Sequence, residues 1–244
     1  MSQITPVFKR EFFGYFRSPV AYVVLIGFIL ATVGCAFFLG NFFKANLASL
    51  DSYFLFLPWL FILLVPAVGM RLWAEEKRTG TIELLFTLPI TTLEAVLGKF
   101  LAAWTFAGIA LLLTFPIWIT VNYLGDPDNG AILAAYLGSW LMAGGFLAIG
   151  ACLSAATRNQ VIAFITTALV CFFFLLAGFP VVLDFLRGVL PQAIVEGIAA
   201  LSFFTHFDAI SKGVIDLRDL IYFASLIGFW LAASALVLDM KKAD

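Results

Sequence analysis

The chain has 244 residues, 63% of them apolar and 12% charged, with a formal net charge of −1. A soluble domain carries about half apolar and a quarter charged residues, and a water-soluble fold of this length cannot hide so much apolar surface. Composition therefore excludes an ordinary soluble protein, and the near-zero charge offers nothing to nucleic acid.

Residues 4–17 place Ile4, Phe8, Phe12, Tyr15 and Phe16 on one helical face, with Arg10 and Arg17 opposite. This is the pattern of an amphipathic helix lying in the headgroup plane. Two readings stay open from these residues: a simple anchor, or a lever that touches a cytoplasmic partner. Six long apolar stretches follow, at 20–43, 52–72, 98–124, 131–156, 160–183 and 219–238. Each is long enough to cross a hydrocarbon core, which takes about 20 helical residues. Helices are expected because backbone groups in lipid must be satisfied internally, and the alternation of a barrel strand is missing. The first stretch is too long for a cleaved signal peptide and follows an amphipathic segment. With the N-terminus inside, ten of the fourteen Lys and Arg fall on the cytoplasmic side. The positive-inside rule then puts both termini in the cytoplasm, and six spans satisfy that parity.

The segment 74–99, AEEKRTGTIELLFTLPITTLEAVLGK, joins the second and third spans on the inner side. Gly80 permits a break, after which Thr81 can cap a short helix with Ile82, Leu85 and Phe86 on one face. Pro89 disfavours helix at Leu88. Thr91 and Glu94 have capping-box spacing and restart the chain into the third span. A short, partly apolar helix pinned between two turns needs a groove, in lipid or in a partner. An interfacial loop with solvated charges is the plainer alternative.

Residues 184–218 carry scattered charges and two apolar pieces, 188–195 and 197–207, too short to cross. An outer re-entrant helical hairpin before the last span fits them. His206, the only histidine, reads either as a pH-sensitive gate residue or as a hydrogen-bonded structural one. Asp208, Asp216, Arg218 and Asp219 are expected in surface pairs worth little each.

Several residue types are missing. No G-x-x-x-x-G-K-[ST] loop occurs, so nucleotide is not bound by that route. No ionisable residue lies deep in a span, which argues against an ion-coupled carrier, and no nucleophile–base arrangement is visible. Cys35, Cys152 and Cys171 show no metal spacing and read as packing residues. Gly144, Ala148, Cys152 and Ala156 form a small-residue stripe, as do Gly27, Ala31 and Cys35. Such stripes let helices approach closely, within one chain or between two. Pro58, Pro66, Pro116 and Pro180 are expected to kink their spans. Thr32, Thr114, Thr120, Asn122, Thr166 and Thr167 could line a path, although intramembrane hydroxyls more often bond their own helix.

Glu75-Glu76, Gly80-Thr81, Glu83-Leu84-Leu85, Leu88-Pro89-Ile90 and Gly98-Lys99 resemble the pattern of ABC-2 type transporter permeases. The stretch from His206-Phe207-Asp208 through Lys212-Gly213-Val214-Ile215-Asp216-Leu217-Arg218-Asp219 resembles the gliding-motility branch of that family. The resemblance implies an all-α integral membrane fold of six transmembrane helices, with an N-terminal amphipathic helix, a cytoplasmic coupling helix and an outer hairpin. It implies that 75–90 docks on a separate ATPase subunit. Glu75, Glu76, Gly80, Thr81, Ile82, Glu83, Leu85, Phe86 and Pro89 would then lie at or beside the joint. It makes 4–17 a connecting helix, with Phe8, Arg10, Phe12 and Arg17, and makes His206, Asp208, Asp216 and Arg218 part of an outer gate. The implied partners are an ABC ATPase in two copies, a second permease chain (identical or related), an auxiliary outer subunit and membrane lipid. ATP and Mg would sit on the ATPase, with no cofactor on this chain, in a bacterial cytoplasmic membrane. The expected function is to couple ATP hydrolysis to export or mechanical work. A non-transporting, force-transmitting scaffold and a passive channel are the rivals.

Overall fold

The computed structural model describes residues 4–40, 49–83 and 89–240, and among them every regular element is helical. Helix α1 spans Ile4–Arg17 and α2 spans Pro19–Gly34, extended by one wider π turn at Cys35–Leu39. Ser18, extended at ψ 127°, and Pro19 at the first helical position separate the two. Helix α3 covers Asp51–Gly69 and carries Pro58 and Pro66 in its interior. A turn at residues 70–73 leads into α4, Ala74–Thr79, which ends at Gly80 with a left-handed φ of 75°. Glycine tolerates that conformation, which makes it a natural helix stop.

Helix α5, Thr92–Leu112, opens with the capping box: Thr91 accepts from the Glu94 amide and the Glu94 carboxylate accepts from the Thr91 amide. It stops at a turn over Leu113 and Thr114, and α6, Phe115–Leu124, resumes with Pro116 in its first turn. Helix α7 is Asn129–Ala156, capped by Asp128. Then come α8 (Gln160–Leu176), α9 (Pro180–Arg187), α10 (Gln192–Ala200), α11 (Phe203–Ser211) and α12 (Leu217–Met240).

Among the described residues, five helical stretches are long and apolar enough to cross a membrane: Pro19–Leu39, Asp51–Thr79, Thr92–Leu124, Asn129–Ala156 and Leu217–Met240. The remaining apolar length lies in two bent pairs, α8 with α9 at 69° and α10 with α11 at 65°. The stretch 160–183 is therefore not one straight span. It breaks after Leu176, where Gly178 and Phe179 precede Pro180 at the start of α9. A Cβ on Gly178 would stand 2.4 Å from the Ser202 hydroxyl, so the close approach of α11 forces glycine at the bend.

Helix α7 is the axis of the molecule. Most of its residues are buried, and α3, α5, α8, α11 and α12 pack around it. Its small residues permit this. A Cβ on Gly145 would overlap the Phe203 ring at 2.5 Å, and one on Gly144 the Trp104 indole at 2.8 Å. Gly144, Ala148 and Cys152 are thus spent on contacts inside the chain. Gly27 has nothing near it, so the stripe on α2 faces outward. Val23, Leu30, Phe229 and Leu236 are among many large apolar side chains left exposed on α2 and α12, as a lipid-facing surface requires.

Candidate functional site

Helix α1 is more than an anchor, because it lies along α5. Val7 seats against Gly98, where an added Cβ would come within 2.7 Å of it, and the Tyr15 ring stacks on Phe106 at 5.0 Å. Burial raises the Tyr15 hydroxyl pKa well above its usual range. Phe8 and Phe12 stack on each other at 5.6 Å along the flank of the helix. Between Val7 and Tyr15, on the same face, sits Glu11.

Glu11 meets a buried cation. Lys99 is 2% exposed at the second turn of α5. Its ammonium donates to Glu76 Oε1 at 2.8 Å and to the Leu72 carbonyl at 3.0 Å, and lies 3.3 Å from Glu11 Oε1. Those three acceptors use all three ammonium protons. The same nitrogen stands 5.0 Å from the centre of the Trp73 ring, a cation–π distance. Arg10 closes the cluster, donating to Glu11 at 2.7 Å and to Glu76 at 3.4 Å. Burial pushes the Glu11 carboxyl up, but the charges of Lys99 and Arg10 and their hydrogen bonds outweigh it. Its pKa therefore lies below the ordinary 4.5. Two acids and two bases leave the cluster neutral, which limits the cost of taking it out of water. Glu76 Oε2 is buried without a hydrogen-bond partner.

Helix α4, which supplies Glu76, is held from the other side as well. The Ser154 hydroxyl on α7 accepts from the amides of Trp73 (3.1 Å) and Ala74 (2.9 Å) and donates to the Met70 carbonyl at 2.9 Å. One side chain thus serves the end of α3 and the start of α4 together. Lys77 donates to the Ala155 carbonyl, and Arg71 pairs with Glu75 at 2.9 Å. Helix α4 is in this way tied to α1, α5 and α7 and to the turn that follows α3.

Of the residues singled out in the sequence, Arg10 and Glu76 belong to the cluster and Glu75 lies beside it. Gly80 ends α4, and Thr81, Ile82 and Glu83 begin a new helical turn. Ile82 is half-buried, Glu83 and Pro89 are exposed, and the Thr81 hydroxyl meets that of Thr79 at 3.0 Å. Leu85 and Phe86 lie outside the described residues. Arg17 is exposed at the end of α1. Glu11, Lys99 and Ser154 are the residues that sequence reasoning missed. Lys99 enters the sequence reading only as an inner-side charge and as part of the Gly98-Lys99 pair, and Glu11 not at all.

The opposite end has its own buried pair. His206 Nδ1 lies 2.6 Å from Asp219 Oδ1, and Nε2 lies 3.0 Å from the Ala200 carbonyl. A carbonyl only accepts, so the Nε2 contact is a hydrogen bond in the tautomer with hydrogen on Nε2, and with hydrogen on Nδ1 the ring donates to Asp219 instead. The imidazole stacks on Tyr222 at 3.9 Å, and the Tyr222 hydroxyl donates to the Leu201 carbonyl at 2.6 Å. His206 is thus a bonded internal residue that joins α10, α11 and α12. Asp219 departs from the surface pairing expected of it, because it is 6% exposed and bound to His206. Asp208 does pair at the surface, with Lys212 at 2.6 Å. Asp216 accepts from the Arg218 amide at 3.0 Å, a helix cap for α12, and Arg218 itself is exposed.

Among the described residues no group of three His, Cys, Asp or Glu side chains converges on a metal-sized site. The candidate path residues turn inward on the backbone: Thr32, Thr120, Thr166 and Thr167 each donate to a carbonyl of their own helix. The family model described as "ABC-2 family transporter protein" matches residues 51–238, which include Glu76 and Lys99 but not α1 or α2. Comparison with curated proteins finds no match.

Proposed function

The chain belongs to the ABC-2 transporter family, and from that premise we propose that it couples ATP hydrolysis on a separate ATPase subunit to export or mechanical work across the bacterial cytoplasmic membrane. The family makes it a multi-pass permease component. The observation that carries the coupling role is the junction at α4. A short helix next to the expected docking segment is bonded to three other helices, and its Glu76 grips the buried Lys99 of α5. A push on residues 81–88 would reach α5 through Glu76 and α7 through Ser154. It would reach α1 through Arg10 and Glu11.

The distribution of basic residues supports the α1–α4 end as cytoplasmic and the His206 end as outer. On this reading two ATPase subunits serve two permease chains, and α10 and α11 form the outer gate. The resemblance to the gliding-motility branch supports mechanical work as the output. So do the threonines bonded to their own helices, which leave little polar lining for a small hydrophilic substrate. Co-expression with a candidate ATPase tests the reading. The ATPase co-purifies with the wild-type chain and is lost with Glu83→Lys combined with Leu85→Glu. Unchanged co-purification of the double variant rejects this docking segment.

A further inference from the structure

The third span has a break, an elbow, over Leu113 and Thr114 between α5 and α6. Thr114, 1% exposed, donates its hydroxyl hydrogen to the Leu111 carbonyl at 2.6 Å. Its oxygen then accepts from the hydroxyls of Tyr53 (2.9 Å) and Tyr136 (3.0 Å). Three buried hydroxyls are satisfied only while α3, the α5–α6 elbow and α7 keep this arrangement. Nearer the middle of the membrane, Trp104 and Trp140 stack at 4.2 Å. Each donates its indole N–H to the other's carbonyl, at 2.8 and 3.1 Å, which pins α5 to α7.

Between pin and elbow a recess of about 350 Å³ remains, lined by Gly108, Leu112, Phe115, Leu133, Tyr136 and Leu137 among others. Its wall is almost wholly apolar, so water has nothing there to bond. The pin and the elbow prevent its collapse. It opens beside Leu112 and Leu133, 69% and 52% exposed, and so continues the lipid-facing surface. Above its mouth the Trp118 indole donates to Asn129, which exchanges amide hydrogen bonds with Asn122. The loop at residues 125–128 carries acids only: Asp126 is exposed, and Asp128 caps α7.

We propose that this recess binds one acyl chain of a phospholipid with an ammonium-bearing headgroup, in the half of the bilayer farther from α1. The apolar wall takes the chain, and the amides and Asp126 favour a headgroup amine over an anionic headgroup. This rests on the membrane location alone and stands or falls apart from ATPase coupling.

The test uses the full chain in vesicles of phosphatidylethanolamine bearing a photoreactive group on one acyl chain, with adducts mapped by mass spectrometry. The recess residues Leu112, Leu133 and Leu137 are expected to be labelled several-fold more than Leu169 and Leu236, which are comparably exposed on α8 and α12. Leu137→Trp or Leu133→Trp, each changing a half-exposed side chain, should remove recess labelling and leave Leu236 labelling intact. The same chain on phosphatidylglycerol should label the recess less. Even labelling around the protein, or labelling unchanged in both variants, overturns the proposal. Chain-to-chain crosslinks from a photoreactive residue placed at 137 also overturn it, by giving the face to a second copy. Equal labelling from phosphatidylglycerol overturns the headgroup assignment.

Discussion

Lys99 is the residue on which the inner end depends, because α1, α4 and the turn before α4 each contribute an acceptor to one buried ammonium. Removing one partner of a buried pair costs about 3–5 kcal/mol. Glu11 and Glu76 keep 21% and 19% side-chain exposure and can partly resolvate. Lys99→Met is therefore expected at the lower end of that range, read as a lowered Tm in detergent. Glu76→Gln together with Lys99→Met should cost less than the two singles added, which a double-mutant cycle measures. Glu11 makes the cluster pH-dependent with a definite sign. Its folded pKa is depressed, so its contribution is fully present above 4.5 and is lost as pH falls through the lower, folded value. Protease sensitivity of the α1–α5 contact should rise only in that acid range, and an unchanged digestion pattern there would contradict this. At the other end, His206→Phe leaves the Asp219 carboxylate buried and unpaired, whereas His206→Phe with Asp219→Asn should recover much of the lost Tm. The residue scale was the least legible in sequence. Lys99 at the start of an apolar run looks like any cation that snorkels to the interface. Asp219 beside Asp216 and Arg218 looks like surface charge. Only the fold reveals that each is enclosed.

Helix α4 is too short to be stable alone and exists because its neighbours hold both ends. Ser154→Ala removes the acceptor for two buried amides, Trp73 and Ala74. A buried donor left unsatisfied costs about 1–3 kcal/mol, and faster amide hydrogen exchange across residues 73–79 would report it. The element boundaries were readable where a side chain performs local chemistry: Gly80 at the left-handed stop, and Thr91 and Glu94 in the capping box. They were unreadable where tertiary contact decides. Residues 159–183 run apolar without a charge; Pro180 marks a kink there, but nothing local sets a bend of 69° after Leu176. It arises because Ser202 and Thr205 press against Gly178. The elbow at Thr114 is similar, since its partners Tyr53 and Tyr136 lie far away in sequence.

At the scale of the molecule, an apolar bundle wrapped on α7 carries a buried ionic cluster at the α1–α4 end and a buried His206–Asp219 pair at the other. The bundle could be inferred from composition, because no other solvent accepts so much apolar surface. The two junctions could not: one draws on α1, α4 and α5, and in the other nothing in the sequence marks Asp219 as enclosed with His206. The central claim is that movement enters beside Gly80 and passes through Glu76 and Lys99 into the spans. The direct measurement is a spin-label distance between Arg78 and Tyr123, both exposed, in the complex with its ATPase. It should be compared with and without a non-hydrolysable ATP analogue. The account predicts a nucleotide-dependent change in the wild type. The change should disappear in Glu76→Gln with Lys99→Met while the ATPase remains bound. The same change persisting in that variant would contradict it.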